Sequence, residues 1–130
     1  MTTEIENRSK IRELQGLLLA APGKFHLDIK ATHFFTEGIY IRTIKMPPEA
    51  VLVGKTHKKG HILIVHTGDV VMMDEEGRHD IKAPFMKLCN GTTKRAFRAG
   101  NEWVEIMTIH ANPTNTRNIE DIEQYLVENI

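Results

Sequence analysis

Short alternating runs, each closed by a glycine, asparagine or proline turn, constrain this chain more than any other feature. Residues 25–29, 32–35, 39–44, 69–73, 78–82, 84–88, 94–98 and 103–110 all read as strands. Glu37-Gly38, Met46-Pro47-Pro48-Glu49-Ala50, Asp74-Glu75-Glu76-Gly77, Asn90-Gly91 and Gly100-Asn101 punctuate them. Such spacing predicts a mainly β protein, an antiparallel sandwich or barrel over residues 25–110. Side chains alternate across a strand. Val104, Ile106, Thr108 and His110 therefore share one face of the last run, and Trp103, Glu105, Met107 and Ile109 the other. A lone glutamate is costly in an interior, so the first set is expected inside. In residues 39–44 the isoleucines are read onto one face and Tyr40 and Arg42 onto the other, a polar face that ordinarily meets water.

Both ends carry helical periodicity. Residues 10–20 place Ile11, Leu14, Leu17 and Leu18 on one stripe, with Ser9 as cap and Pro22-Gly23 as stop; residues 1–9 are polar and expected to be flexible. Residues 118–129 repeat the pattern with Asn118 as cap and Ile119, Ile122 and Leu126 on the apolar side. A chain of 130 residues is long enough for one domain. Lysine and arginine total 17, and so do aspartate and glutamate, so no global field steers the chain toward nucleic acid or an anionic membrane. The basic residues Lys82, Lys87, Lys94, Arg95 and Arg98 lack the aromatic interleaving of a nucleic-acid surface. The single cysteine, Cys89, rules out an internal disulfide and suits a reducing cytoplasm. The start MTTEIENRSK has no signal-peptide pattern, and no long apolar run exists, so a cytoplasmic protein without a membrane partner is expected.

Residues 51–68, VLVGKTHKKGHILIVHTG, concentrate the chemistry. Lys58-Lys59-Gly60 reads as a turn with His57 before it and His61 after it. Lys55 and His57 would share a face of the incoming strand, and His61, Leu63 and Val65 a face of the outgoing one. Two imidazoles converging in an apolar setting begin a metal centre. A third ligand is needed: His110 is the first choice and His33 the second. The plain alternative is hydrogen-bonded, inert histidines. His26, His66 and His79 read as surface or structural, and Cys89 has neither a helix N-terminus nor a sequence-paired histidine to activate it.

The same segment carries a family resemblance. The first cupin motif runs glycine, five residues, HxH, three or four residues, glutamate, six residues, glycine. Here Lys55-Thr56-His57 lies on the HxH, His61 stands at the glutamate position, and six further residues lead to Gly68. The second motif, P-x-G-x-x-H-x-F, is resembled by Asn90-Gly91-Thr92-Thr93-Lys94-Arg95-Ala96-Phe97, with Arg95 at the histidine position. The chain looks like the small single-domain cupins common among bacteriophage proteins, which share the K-x-H-x-x-x-H variant. That resemblance implies an antiparallel jelly-roll barrel with a ligand cavity and short N- and C-terminal helices. It also implies pairing as a homodimer, for which Trp103, Met107 and Ile109 offer a face.

Lys55 and Arg95 are the departures from the motif, since a cation beside a dication is repelled. Either no metal binds, or the two cations hold a small anionic molecule such as a carboxylate or phosphate beside it. Tyr40 is a further catalytic candidate at the same mouth. Three functions stay open: a metal-dependent enzyme acting on a small anion, a metal-free sugar isomerase or epimerase, or a non-catalytic protein binding a ligand or a host protein. In the second, His57 or His61 is the base and Lys55 or Arg95 steadies an enolate.

Overall fold

The computed structural model describes residues 29–128. The helix expected at 10–20, the polar segment 1–9 and nearly all of the run at 25–29 lie outside the described residues. The strands are β1 (Ala31–Thr36), β2 (Ile39–Met46), β3 (Val51–Val53), β4 (His61–Thr67), β5 (Asp69–Asp74), β6 (Gly77–Lys82), β7 (Phe85–Cys89), β8 (Ala96–Ala99) and β9 (Val104–Ala111). One helix, α1 (Ile119–Leu126), follows them. No helix of the described residues is long and apolar enough to cross a membrane.

A five-stranded sheet in the order β1-β2-β9-β4-β7 faces a four-stranded sheet in the order β3-β8-β5-β6. Every strand pair is antiparallel. From β2 to β9 the chain passes repeatedly between the two sheets, as in a jelly roll. Alternation fills the space between them. Ile44, Met46, Leu63, Val65, Val104 and Ile106 come from one sheet, and Val70, Met72, Ile81, Phe97 and Ala99 from the other.

Three expectations need correction or refinement. Residues 51–68 do not form a hairpin: β3 pairs with β8, whereas β4 pairs with β7 and β9. The stretch crosses between sheets, and regular strand ends at Val53, short of Lys55 and His57. Backbone bonds hold this irregular crossover, from Gly54 N to the Arg95 carbonyl (2.9 Å), from His57 N to the Thr93 carbonyl (2.8 Å) and from Lys58 N to the Leu126 carbonyl (2.7 Å). On β2 the inward face is Tyr40, Arg42, Ile44 and Met46, because Ile44 has the parity of Tyr40; Ile39 is an exposed residue. Tyr40 is only 1% exposed, so the polar face does not meet water. At the C-terminus, Asn118 caps α1 by accepting from Asp121 N at 3.1 Å, and Ile122 and Leu126 are buried against Tyr40.

Gly68 joins β4 to β5 with φ +85°, and a Cβ there would lie 2.3 Å from the Trp103 carbonyl oxygen. Gly68→Ala should cost at least about 2 kcal/mol in a urea titration, since strain and overlap act together. An unchanged midpoint would contradict this close packing of the two segments.

Candidate functional site

The inward residues of the five-stranded sheet form rows that follow from its register. Tyr40 pairs with His110, and Arg42 with Thr108 and through it Leu63; Ile44 pairs with Ile106 and through it Val65. Polarity therefore falls along the barrel axis, from Tyr40 and His110 at the mouth to an aliphatic floor. His61 pairs with Cys89 at the mouth end of β4 and β7. His57 arrives from the crossover segment, which also bridges to Thr93 and Val127. Arg95 arrives from the residues just before β8.

These elements bring His57, His61 and His110 together, with one nitrogen of each within 4.8 Å of the others. Their rings stack, with centroids 4.2 Å apart for His57–His61, 5.5 Å for His57–His110 and 5.1 Å for His61–His110. His33 does not join them. It stacks on the far side of Tyr40 at 5.8 Å, bonded to the phenol oxygen through Nδ1. Burial is the largest cause holding all three clustered imidazoles neutral, with Arg95 adding to it at each. It lowers His57 to about 2, His61 to about 4 and His110 to about 3. Burial pushes the Tyr40 phenol up to about 12, so it stays protonated.

The Arg95 guanidinium is 4% exposed and donates to His61 Nε2 at 2.8 Å through Nη1 and to His57 Nε2 at 3.4 Å through Nη2. Cys89 Sγ lies 3.5 Å from Nη1. Among the described residues no carboxylate forms an ion pair with it. The His61 tautomer follows from its partners. Its Nδ1 lies 3.0 Å from the Lys59 carbonyl, which can only accept, so Nδ1 carries the proton and Nε2 offers its lone pair to Arg95.

Two cavities with shared lining residues lie beside this cluster. An inner one of about 40 Å³ lies against Arg42, Lys55, His57, Arg95 and Thr108 above Leu52, Leu63 and Phe97. An outer one of about 210 Å³ shares Arg42, Lys55 and His57 and reaches Tyr40, His110 and α1. Lys55 is exposed at the entrance, off any regular strand. Three cations thus border the cavities against one acid, Glu123 of α1. Arg42 lines both cavities, the place that the sequence offers for it, with Tyr40, as the alternative to a water-facing strand. The contribution of Cys89 depends on the non-local β4–β7 pairing, for which the sequence carries no signal.

As a metal site the cluster has fitting donors. Three neutral imidazoles supply lone pairs, and the buried Nδ1 atoms of His57 and His110 have no hydrogen-bond partner among the described residues. The guanidinium on His61 Nε2 and His57 Nε2 and the neighbouring charges of Arg42 and Lys55 oppose a metal. Two further histidines of the described residues meet carboxylates. His79 bonds the buried Asp74 carboxylate at 2.9 Å, beside Lys87 at 3.2 Å, and His66 meets Glu105 at 3.2 Å.

No protein-family model matches the sequence, and no curated protein sequence is significantly similar to it. Solved structures do resemble the fold. The DMSP lyase DddQ from Ruegeria pomeroyi DSS-3 superposes with a TM-score of 0.61 at 10% identity over 76% of this chain, which spans 55% of the lyase chain. A cupin domain from Bordetella pertussis gives 0.53 at 11% identity, covering 65% of this chain and 93% of that one. An RmlC-like cupin from Methanocaldococcus jannaschii, described as a double-stranded β-helix, gives 0.55 at 16% identity over 70% of this chain and 86% of that one. The fold is that of a small cupin, and its three close-set histidines could hold a metal ion.

Proposed function

We propose that this cupin captures a small anion in its barrel, with Arg95 as the anchor and Arg42 and Lys55 as supports. The buried Arg95 guanidinium, in contact with imidazole and thiol and with no carboxylate in ion-pair range among the described residues, carries the proposal. A cation taken out of water with no carboxylate in contact costs several kcal/mol; Asp74 and Glu75 act on Arg95 only from a distance, and an anion entering the adjoining cavity offsets what remains. A carboxylate or phosphate matches the planar fork of a guanidinium. Acetate or phosphate should therefore raise the thermal midpoint above that in chloride at equal ionic strength. Identical midpoints would count against an anion site.

The three histidines support a second component, a divalent metal held by His57, His61 and His110. When bound, it would supply Lewis-acid chemistry at an anion beside it. The histidines' own proton affinities favour ligation over general-base chemistry. A base near 4 or below is a weak acceptor at neutral pH, where an efficient one is tuned close to 7. That weighs against the isomerase reading. Protein equilibrated with Zn2+ in acetate should retain about one ion per chain. His57→Ala, His61→Ala and His110→Ala should each hold it at least about tenfold more weakly. Equal metal content in all four would remove the metal.

Pairing of two copies belongs to the same proposal. The outer face of the five-stranded sheet carries an apolar row through Phe34, Ile41, Ile109, Ile62 and Leu88, with Met86 beside it. Leu88 is 72% exposed and Met86 63%, so the patch extends beyond the Met107 and Ile109 face legible in the sequence. Five strands span roughly 24 Å at about 4.8 Å each, a width that suits a modest homodimer interface. Sedimentation at tens of micromolar should give a dimer that Leu88→Glu dissociates. Monomer for both proteins would end the idea. A phage-encoded, cytoplasmic protein is the setting that the K-x-H-x-x-x-H resemblance implies, and the buried free thiol of Cys89 accords with a reducing compartment.

A further inference from the structure

We infer that Arg95 is a latch on the histidine cluster: it occupies the lone pair that His61 would give to a metal, and an anion in the barrel releases it. The inference rests on both components of the proposed function. Its basis is the pair of bonds at His61. The Lys59 carbonyl fixes the proton on Nδ1, so Nε2 is the only lone pair the ring has, and Arg95 Nη1 sits on it at 2.8 Å. A guanidinium does not lose its proton, so it cannot give way by titrating; it has to move. In the latched state Arg95 Nη2 also reaches His57 Nε2, at 3.4 Å, so two of the three rings turn a lone pair to the guanidinium, while the buried Nδ1 atoms of His57 and His110 have no partner among the described residues.

There is space for the move and a reason for it. The inner and outer cavities both lie beside His57, and Arg95 lines the inner one. A carboxylate entering there offers the guanidinium two charge-assisted acceptors in place of neutral imidazole nitrogens. The same anion offsets the charge of Arg42, Lys55 and Arg95, which otherwise repels a dication. Both effects act in one direction. Anion binding should tighten metal binding, and by reciprocity metal should tighten anion binding. The departures from the motif at Lys55 and Arg95 then make the metal site conditional on a ligand.

The test uses Co2+ as metal and acetate as anion, with affinity read from a competing chromophoric chelator and ligand number from the visible Co2+ bands. Arg95→Met should bind Co2+ about ten- to a hundredfold more tightly than wild type in chloride, the factor that a hydrogen bond to a charged group represents. Saturating acetate should tighten Co2+ binding to wild type severalfold, with bands of a centre holding one more nitrogen, and should leave Arg95→Met unchanged. Arg95→Gln, which keeps a polar side chain, provides the comparison if the methionine variant folds poorly. Equal Co2+ affinity for wild type and both variants, with or without acetate, would overturn the latch while leaving the metal site standing. Absence of Co2+ binding in every protein would remove the metal site and the latch with it.

Discussion

Taking the protein from pH 7 to pH 5 should remove a large share of its stability. His57, His61 and His110 are held at about 2, 4 and 3 by burial first and by the neighbouring Arg95 second. In the unfolded chain each takes up a proton near the ordinary value of about 6.5. Below that pH the unfolded state binds more protons than the folded one, so stability present above it is lost as the pH falls. Each group contributes up to about 1.4 kcal/mol per pH unit once the pH is well below its unfolded value, so the three together lose roughly 5–6 kcal/mol between pH 7 and pH 5. Domain stabilities are typically about 5–15 kcal/mol, so two units of acidification remove from about a third to all of the stability of an ordinary protein. Asp74 adds to the loss at lower pH. Its carboxylate is desolvated, but bonds from His79, Glu76 N and Lys87 outweigh this and lower it, so its contribution also fades on acidification. Urea midpoints between pH 7 and pH 5 check the slope, and His110→Asn should reduce it by about a third. A flat profile would mean that the histidines are solvated.

Arg95→Met should separate stability from binding. In wild type the guanidinium's burial is offset by hydrogen bonds to neutral imidazoles and by the more distant charges of Asp74 and Glu75, with no carboxylate in contact. Replacing a buried charge by an apolar side chain of similar length relieves a desolvation penalty of several kcal/mol. It leaves His61 Nε2 unpaired, at about 1–3 kcal/mol. The first effect is the larger, so the variant should unfold at an equal or higher temperature in chloride. An anion at a hundred times its Kd should add about 2.7 kcal/mol to wild type and nothing to Arg95→Met. Destabilisation of the variant together with a retained anion response would reverse the assignment, making Arg95 a structural residue and placing the anion elsewhere.

Much of the barrel was legible in local sequence because period-two patterning and turn chemistry are local signals. The β5–β6 hairpin at Asp74–Gly77, the inward face of β9 and the Asn118 cap all follow from neighbouring residues. Pairing partners do not. The crossover of residues 54–60 resembles a hairpin turn because Lys58-Lys59-Gly60 favours chain reversal, yet β3 finds its partner in β8, more than forty residues on. The inward face of β2 is ambiguous in sequence because Tyr40 and Arg42 are polar and could either line a mouth or meet water. What buries them is tertiary: His110 opposite in the register, α1 across the mouth, and cavities that accept a cation. His57, His61 and His110 could be named from residue type and parity. That an arginine caps one of them depended on the approach of β8, which no short window of sequence contains.

Calorimetric titration of acetate and of phosphate into wild type and Arg95→Met, in chloride at constant ionic strength, tests the anion site most directly. Wild type should bind one anion per chain, and Arg95→Met should show no saturable heat for either. Equal binding by both proteins, or none by either, would contradict an anion site in the barrel.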